Sequence, residues 1–375
     1  MKKILFICAE ASFGLSPFAT NIIQAAAKSE HLEVYAVTVD NETISYRTFL
    51  KDFPEDQIRF LPAPKNITER IRNKLYVKNI LREVKKICRL HEIDIIHLLT
   101  VDYTCATILH RLKKNCPVYY TVHDVVPHES VYANLKHYLF SFYIKWGVKH
   151  NMRKADCLIT NSKHQYNLIK EMYPQKNVYF QLFPPLITDS ILTGEKICPE
   201  IASIDKYILF FGAIEKYKGI EYLYEAFKNN ANLHSRKLVI AGKGTIYFPH
   251  DDDSDVIFIN RYIHDEEIKS LYTRASCVVY PYISATQSGV LTLAYRFRIP
   301  ALASDIPYFR EVSDEKSCLF FKRADAADLS KKLEQLLFDT DNAEMKTAQK
   351  TFYENNYSEQ ALITSIEQIY LSDNE

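Results

Sequence analysis

The sequence predicts an α/β protein made of two doubly wound parallel domains. Apolar runs of strand length alternate with segments of helical period through both halves, the pattern of parallel sheets covered on both faces. That rhythm pauses once, in a proline- and glycine-bearing stretch at residues 187–205, and then restarts. A chain of 375 residues is also long enough for two cores of ordinary size. The expected domains are 1–186 and 206–355, joined by 187–205, with a last helical segment at 356–375 that could pack back on the first domain.

Each element follows from its local pattern. Residues 3–8 (KILFIC) form a continuous apolar run, as a central parallel strand requires. A loop containing Gly14 follows, and a helix starts near Pro17, because proline is comfortable in a first turn. Further strands are expected at 32–39, 57–61, 93–99, 117–126, 157–160 and 178–182. A helix at 67–91 keeps Ile67, Ile71, Leu75, Ile80, Val84 and Ile87 on a 3.6-residue period. Others are expected at 102–114, 131–154 and 162–172. In the second half the strands fall at 207–212, 237–241, 256–260, 277–281, 300–303 and 318–321. Helices fall at 219–228, 265–275, 289–297 and 325–338, followed by two more at 341–355 and 358–371. Ligands of such sheets bind at the carboxyl ends of the strands, so a cleft between the two domains is the expected working site.

Composition narrows the class. The chain is 47% hydrophobic and 25% charged, which is globular. Residues 1–186 hold 26 Lys+Arg against 17 Asp+Glu, a balance of +9; the remainder holds 21 against 29, a balance of −8. The basic half is suited to an anionic surface. The eight cysteines make no CxxC and no histidine cluster adjoins them, so reduced thiols are expected and a metal site is not. Glu10 interrupts the only signal-like run, and the greasy stretch at 138–148 is broken by Lys145 and too short to span a bilayer. A cytoplasmic protein is expected. Segment 131–154 mixes Tyr138, Phe140, Phe142, Tyr143 and Trp146 with Lys136, Lys145, Lys149, Arg153 and Lys154. Such a mixture suits peripheral contact with an anionic membrane, or else a core-facing stripe with a solvated basic back. Arg70, Lys74, Lys78, Arg82 and Lys86, four apart, add a basic stripe on the 67–91 helix. No compact nucleic-acid motif is present, and the net charge of +1 argues against that partner.

The chemistry concentrates in loops that follow strands. In residues 280–311 a strand leads into Ala285-Thr286-Gln287-Ser288-Gly289 and then a helix. The free N–H groups and positive dipole end of that helix start make an anion cradle. Lys218, just before another helix, can reach a phosphate as a point charge, though an ordinary loop with solvated lysines reads equally from the sequence. Gly242-Lys243-Gly244 fits a tight turn. Arg261, Tyr262 and Ile263 precede a helix for which Asp265 is a fair N-cap.

Together the blocks ILFFGAIEKYKGIEYLYEAF, LVIAGKG, INRYIHDEEIKSLYTRASCVVYPY and SATQSGVLTLAYRFRIPALASDIPYFREV resemble the donor half of a family-4 glycosyltransferase of the GT-B fold. Residues 207–322 carry the resemblance, the first half only its outline. It implies two Rossmann-like domains with an interdomain cleft. It also implies retaining, metal-independent transfer from a nucleoside diphosphate sugar, with no further cofactor, to a glycan or lipid-linked glycan, as in surface polysaccharide biosynthesis. Position by position, the diphosphate lysine matches Lys218, and the loop touching phosphate or sugar matches Thr286, Gln287, Ser288, Gly289 and Val290. The nucleobase segment matches Arg261, Tyr262 and Ile263; the histidine near the donor sugar matches His123, with Asp124 beside it on the acceptor side. The glycine loop facing donor and acceptor would be Ser12, Phe13 and Gly14.

The sequence also departs from that pattern. Ala213 and Glu215 stand where many relatives carry a phosphate-binding arginine, and Ala285 and Leu293 where many carry paired glutamates. Lys216, Lys243, Arg261 and Arg296 are the candidate substitutes for the arginine. The departures keep two alternatives in view: a catalytically idle GT-B protein that binds a partner, and another GT-B enzyme such as a sugar-nucleotide epimerase.

Overall fold

The computed structural model describes residues 1–10, 15–40, 46–51, 53–63, 74–125, 135–185, 187–285, 289–339 and 342–372. It divides into two compact units, Met1–Pro184 with Glu359–Glu375, and Pro185–Ser358.

The first unit is built on a parallel sheet of β1 (Lys2–Cys8), β2 (Leu32–Asp40), β3 (Ile58–Pro62), β4 (Ile95–Leu98), β5 (Val118–Thr121), β6 (Cys157–Thr160) and β7 (Asn177–Phe180). Their order is β3-β2-β1-β4-β5-β6-β7. The apolar run Ile4–Cys8 is fully buried at its centre, because both faces of a parallel strand are covered by helices. Strand order reverses between β1 and β4, the switch point at which parallel sheets of this kind hold ligands.

The C-terminal helix Glu359–Leu371 belongs to this unit. Leu182 N donates to Ser365 Oγ at 3.0 Å. Tyr370 is hydrogen-bonded to Nδ1 of the buried His97, whose Nε2 lies 2.8 Å from Thr121 Oγ1. Burial first, and His123 second, hold the His97 pKa down at about 3, so the ring is neutral in the folded protein.

One expected helix differs from the sequence reading, and part of another lies outside the described residues. Residues 102–114 form a 3-10 turn, Tyr103–Thr107, and one helical turn, Leu109–Leu112. Asp102 is left-handed there (φ +45°) and its carboxylate is spent on the sheet instead of capping a helix. Of the expected 67–91 helix, Lys74–His91 is described, with Ile80, Val84 and Ile87 buried.

The second unit is a parallel sheet of β8 (Tyr207–Phe211), β9 (Leu238–Ala241), β10 (Val256–Ile259), β11 (Ala275–Tyr280), β12 (Ala301–Ser304) and β13 (Leu319–Phe321), ordered β10-β9-β8-β11-β12-β13. Its switch point lies between β8 and β11, which places the loops carrying Lys218 and Gly289 side by side. Residues 187–205, expected as a linker, fold with this unit. Thr188 Oγ1 donates to Asp265 Oδ2 at 2.7 Å, and Arg274 Nε to Asp205 Oδ1 at 2.6 Å. His264, not Asp265, is the N-cap of helix Asp265–Thr273; its N–H is taken by Glu267 Oε2 at 3.0 Å, a capping-box bond.

Candidate functional site

The chain leaving β8 turns through Lys216–Lys218 and ends on Gly219, which is left-handed at φ +63°. A Cβ on Gly219 would sit 2.1 Å from Pro281 O, so a glycine is what lets this loop lie on the chain leaving β11. Ile283 N donates to Tyr217 O at 2.8 Å and ties the two loops together.

That seam buries Lys218, which is only 7% exposed. Its Nζ donates to Tyr282 Oη at 2.6 Å. It also lies 3.9 Å from the Tyr282 ring centroid and 4.9 Å from that of Tyr217. Among the described residues no carboxylate comes within salt-bridge distance of it. Burial lowers its pKa, partly offset by Tyr217 and Glu215. A buried ammonium faced by two aromatic rings keeps hydrogen-bonding capacity for an anion, since each ammonium has three N–H donors.

On the neighbouring strand, Gly289 caps helix Val290–Phe297 without a side-chain hydrogen bond, leaving the helix start to backbone donors. Val290 O accepts from Tyr280 Oη at 2.9 Å, which anchors the first turn to β11. Thr286, Gln287 and Ser288 lie outside the described residues. The two places of the missing glutamates are packing positions: Leu293 is 6% exposed within the core, and Ala285 packs against it.

The candidate substitutes for the missing arginine are placed elsewhere. Lys216, Lys243 and Arg296 are exposed, and the Arg296 charge lies near Tyr353. Arg261 is engaged by two carboxylates: Nε donates to Glu200 Oε1 at 2.8 Å, and Nη1 to Glu267 Oε2 at 2.8 Å. The arginine in turn holds the Glu267 carboxyl down at about 2. Its work is therefore to fix the 261–263 backbone, which leaves Tyr262, 60% exposed and edge-on to His264 at 5.5 Å, as the exposed ring of that segment; Ile263 is buried at 5%. The Gly242-Lys243-Gly244 turn is structural: a Cβ on Gly242 would fall 1.9 Å from Gly212 O.

In the first unit His123 follows β5 and is 8% exposed. Its Nε2 lies 3.0 Å from Leu99 O. A carbonyl can only accept, so Nε2 carries the proton in that bond, which fixes the ring against the end of β4. Phe18 packs edge-on at 5.0 Å, and Gln165 bonds both His123 O and Val125 N, fixing the backbone around Asp124. Ser12, Phe13 and Gly14 lie outside the described residues. Asp102 was not singled out from the sequence. It takes Ala9 N at 2.6 Å and Thr100 N at 2.8 Å, tying the start of the β1 loop to the end of β4. Burial raises its carboxyl to about 6. Its sequence signal, an acid just after a buried strand, was open to reading as a helix cap.

Comparison with known proteins agrees with this fold. Residues 205–339 match the family described as "Glycosyl transferases group 1", and residues 14–181 match "Glycosyltransferase Family 4". The "Uncharacterized glycosyltransferase MJ1607" of Methanocaldococcus jannaschii is 30% identical over 115 residues, 29% of this chain and 29% of its own length. Anabaena Alr3699/HepE, solved in complex with UDP and glucose, superposes with a TM-score of 0.70 at 13% identity, covering 100% of both chains. Sucrose-phosphate synthase from Thermosynechococcus elongatus gives 0.64 at 15% identity over 99% of this chain and 98% of its own. With both halves matched in sequence and the two-sheet architecture matched in structure, the chain belongs to the family-4 glycosyltransferases of the GT-B fold.

Proposed function

We propose that this chain transfers a sugar from a nucleoside diphosphate sugar to a glycan or lipid-linked glycan acceptor, with retention and without a metal ion, in surface polysaccharide assembly. The observation that carries the donor assignment is Lys218, a buried cation with no carboxylate partner among the described residues, set beside a helix start at the switch point of its sheet. As the sugar departs, negative charge builds on the diphosphate, and the Lys218 ammonium with the backbone N–H groups at Gly289–Val290 would stabilise it. His123, its ring fixed by the Nε2–H bond to Leu99 O, would orient the donor sugar. Tyr262 would supply a face for the base. Anabaena HepE, of the same fold, was solved with UDP and with UDP-glucose, which supports a donor of this class.

The test is a panel of UDP, GDP, ADP, CMP and their sugars read by thermal shift, repeated with Lys218→Met. A shift with one nucleotide, lost in the variant, supports the donor site. No shift with any of them favours the reading as an idle binding protein. Retention is read from the anomeric configuration of the product by NMR, and metal independence from activity in excess EDTA.

A further inference from the structure

The helix Leu135–Lys154 holds a second cationic site, on the outer face of the first unit. Its inner face is fixed: a Cβ on Gly147 would lie 2.6 Å from Tyr103 O, and Val148, Asn151 and Met152 are buried. The outer face carries Phe142, Trp146, Lys149 and Arg153, spaced four, three and four residues apart, which is one side of a helix. Phe142 is 65% exposed and Trp146 42% exposed, with Tyr143 stacked 5.9 Å from the indole. Trp146, Lys149, His150, Arg153 and Lys154 line an open depression.

No carboxylate in the described residues reaches salt-bridge distance of Lys149, His150, Arg153 or Lys154; the nearby Asp156 is taken by Lys113 at 2.7 Å. Partial burial, then the charges of Lys154, Arg153 and His110, lower the His150 pKa, a sign of positive charge left uncompensated. Core packing accounts for Tyr143, whose ring meets the buried Tyr103 edge-on at 5.5 Å, but not for the exposure of Phe142 and Trp146. A soluble surface gains nothing by exposing a phenyl and an indole together beside cations that no described carboxylate pairs. A bilayer interface does, since aromatic rings settle at headgroup depth and cations meet anionic phosphates. No described helix is long and apolar enough to cross a membrane.

We propose that Phe142, Trp146, Lys149 and Arg153 dock the first unit on an anionic phospholipid surface, with a headgroup phosphate in the depression beside Trp146. The proposal is independent of the transfer reaction, because its readout needs no donor. Trp146 is the sole tryptophan, so emission reports on this face directly.

The full chain is mixed with vesicles of phosphatidylcholine, or of phosphatidylcholine and phosphatidylglycerol in equal amounts, and followed by sedimentation and tryptophan emission. Binding with a blue shift is expected on the anionic vesicles alone. Lys149→Gln and Arg153→Gln should each lower the partition coefficient about fivefold, and Phe142→Ala should lower it further, all three keeping wild-type melting because the side chains are exposed. Equal binding to phosphatidylcholine alone, absence of binding, or sedimentation without an emission change would overturn the proposal. Inorganic phosphate that reproduces the blue shift would reassign the depression to a free anion and overturn the lipid assignment.

Discussion

Replacing Lys218 by Met keeps the volume of the stem between Tyr217 and Tyr282 and deletes the charge. In the free protein the loss includes one hydrogen bond to Tyr282 from a charged donor, about 1.5–3 kcal/mol. It also includes cation–π contacts worth about 0.5–2 kcal/mol. The gain is relief from burying an ammonium, several kcal/mol in effective terms. These oppose and nearly cancel, so the stability of the free protein should move by less than about 2 kcal/mol. Donor binding has no such compensation. A charged hydrogen bond to phosphate contributes about 1.5–3 kcal/mol, so affinity should fall roughly 10- to 150-fold. Isothermal titration with the nucleotide sugar chosen from the thermal-shift panel measures this directly. The wild-type affinity should also decline with rising pH earlier than an ordinary lysine would dictate, because burial lowers the Lys218 pKa. A variant that binds within twofold of wild type, with the same pH profile, would refute Lys218 as the phosphate cation.

Other expectations follow from the same contacts. His97 is neutral when folded, with its pKa at about 3, and protonates near 6.5 when unfolded, so its contribution is complete above pH 6.5 and is lost as pH falls toward 3. Between pH 8 and 5.5 that loss is about 1.4 kcal/mol, almost independent of the folded value because it lies far below 5.5. Asp102, raised to about 6, acts in the opposite sense, so the measurement is the difference in urea stability between wild type and His97→Gln across that range; equal slopes would sink the argument. Arg261→Ala leaves Glu267, 2% exposed, without its partner and should cost about 3–5 kcal/mol by chemical denaturation. A cost below about 1 kcal/mol would mean Glu267 finds other partners. Leu293→Glu, which restores the residue many relatives carry, should destabilise the second unit by several kcal/mol without improving donor affinity, because the side chain enters the core; tighter binding in titration would contradict that placement.

The sequence was informative wherever the cause was local. The buried run Ile4–Cys8 and the periodic Ile80, Val84 and Ile87 declared their elements because strand and helix periods depend on neighbours along the chain. Lys218 and Gly289 were placed in the same expected site because each lies in a loop after a strand. The 102–114 segment misled because Asp102 serves residue Ala9, 93 positions away, and no local pattern records that bond. Arg261 was similar: its charge read as available for phosphate until Glu200, 61 positions earlier, came beside it.

By itself, then, the sequence determined the alternation of strands and helices, two parallel sheets and the loops from which a donor site would be built. These rest on short-range periodicity and on chain connectivity. Only the tertiary structure decided which cation stays available. Lys218 is buried against Tyr282, 64 positions on, whereas Arg261 is committed to carboxylates and Leu293 to the core. Burial and electrostatic pairing depend on partners brought together by the fold, and those partners are far apart in the chain.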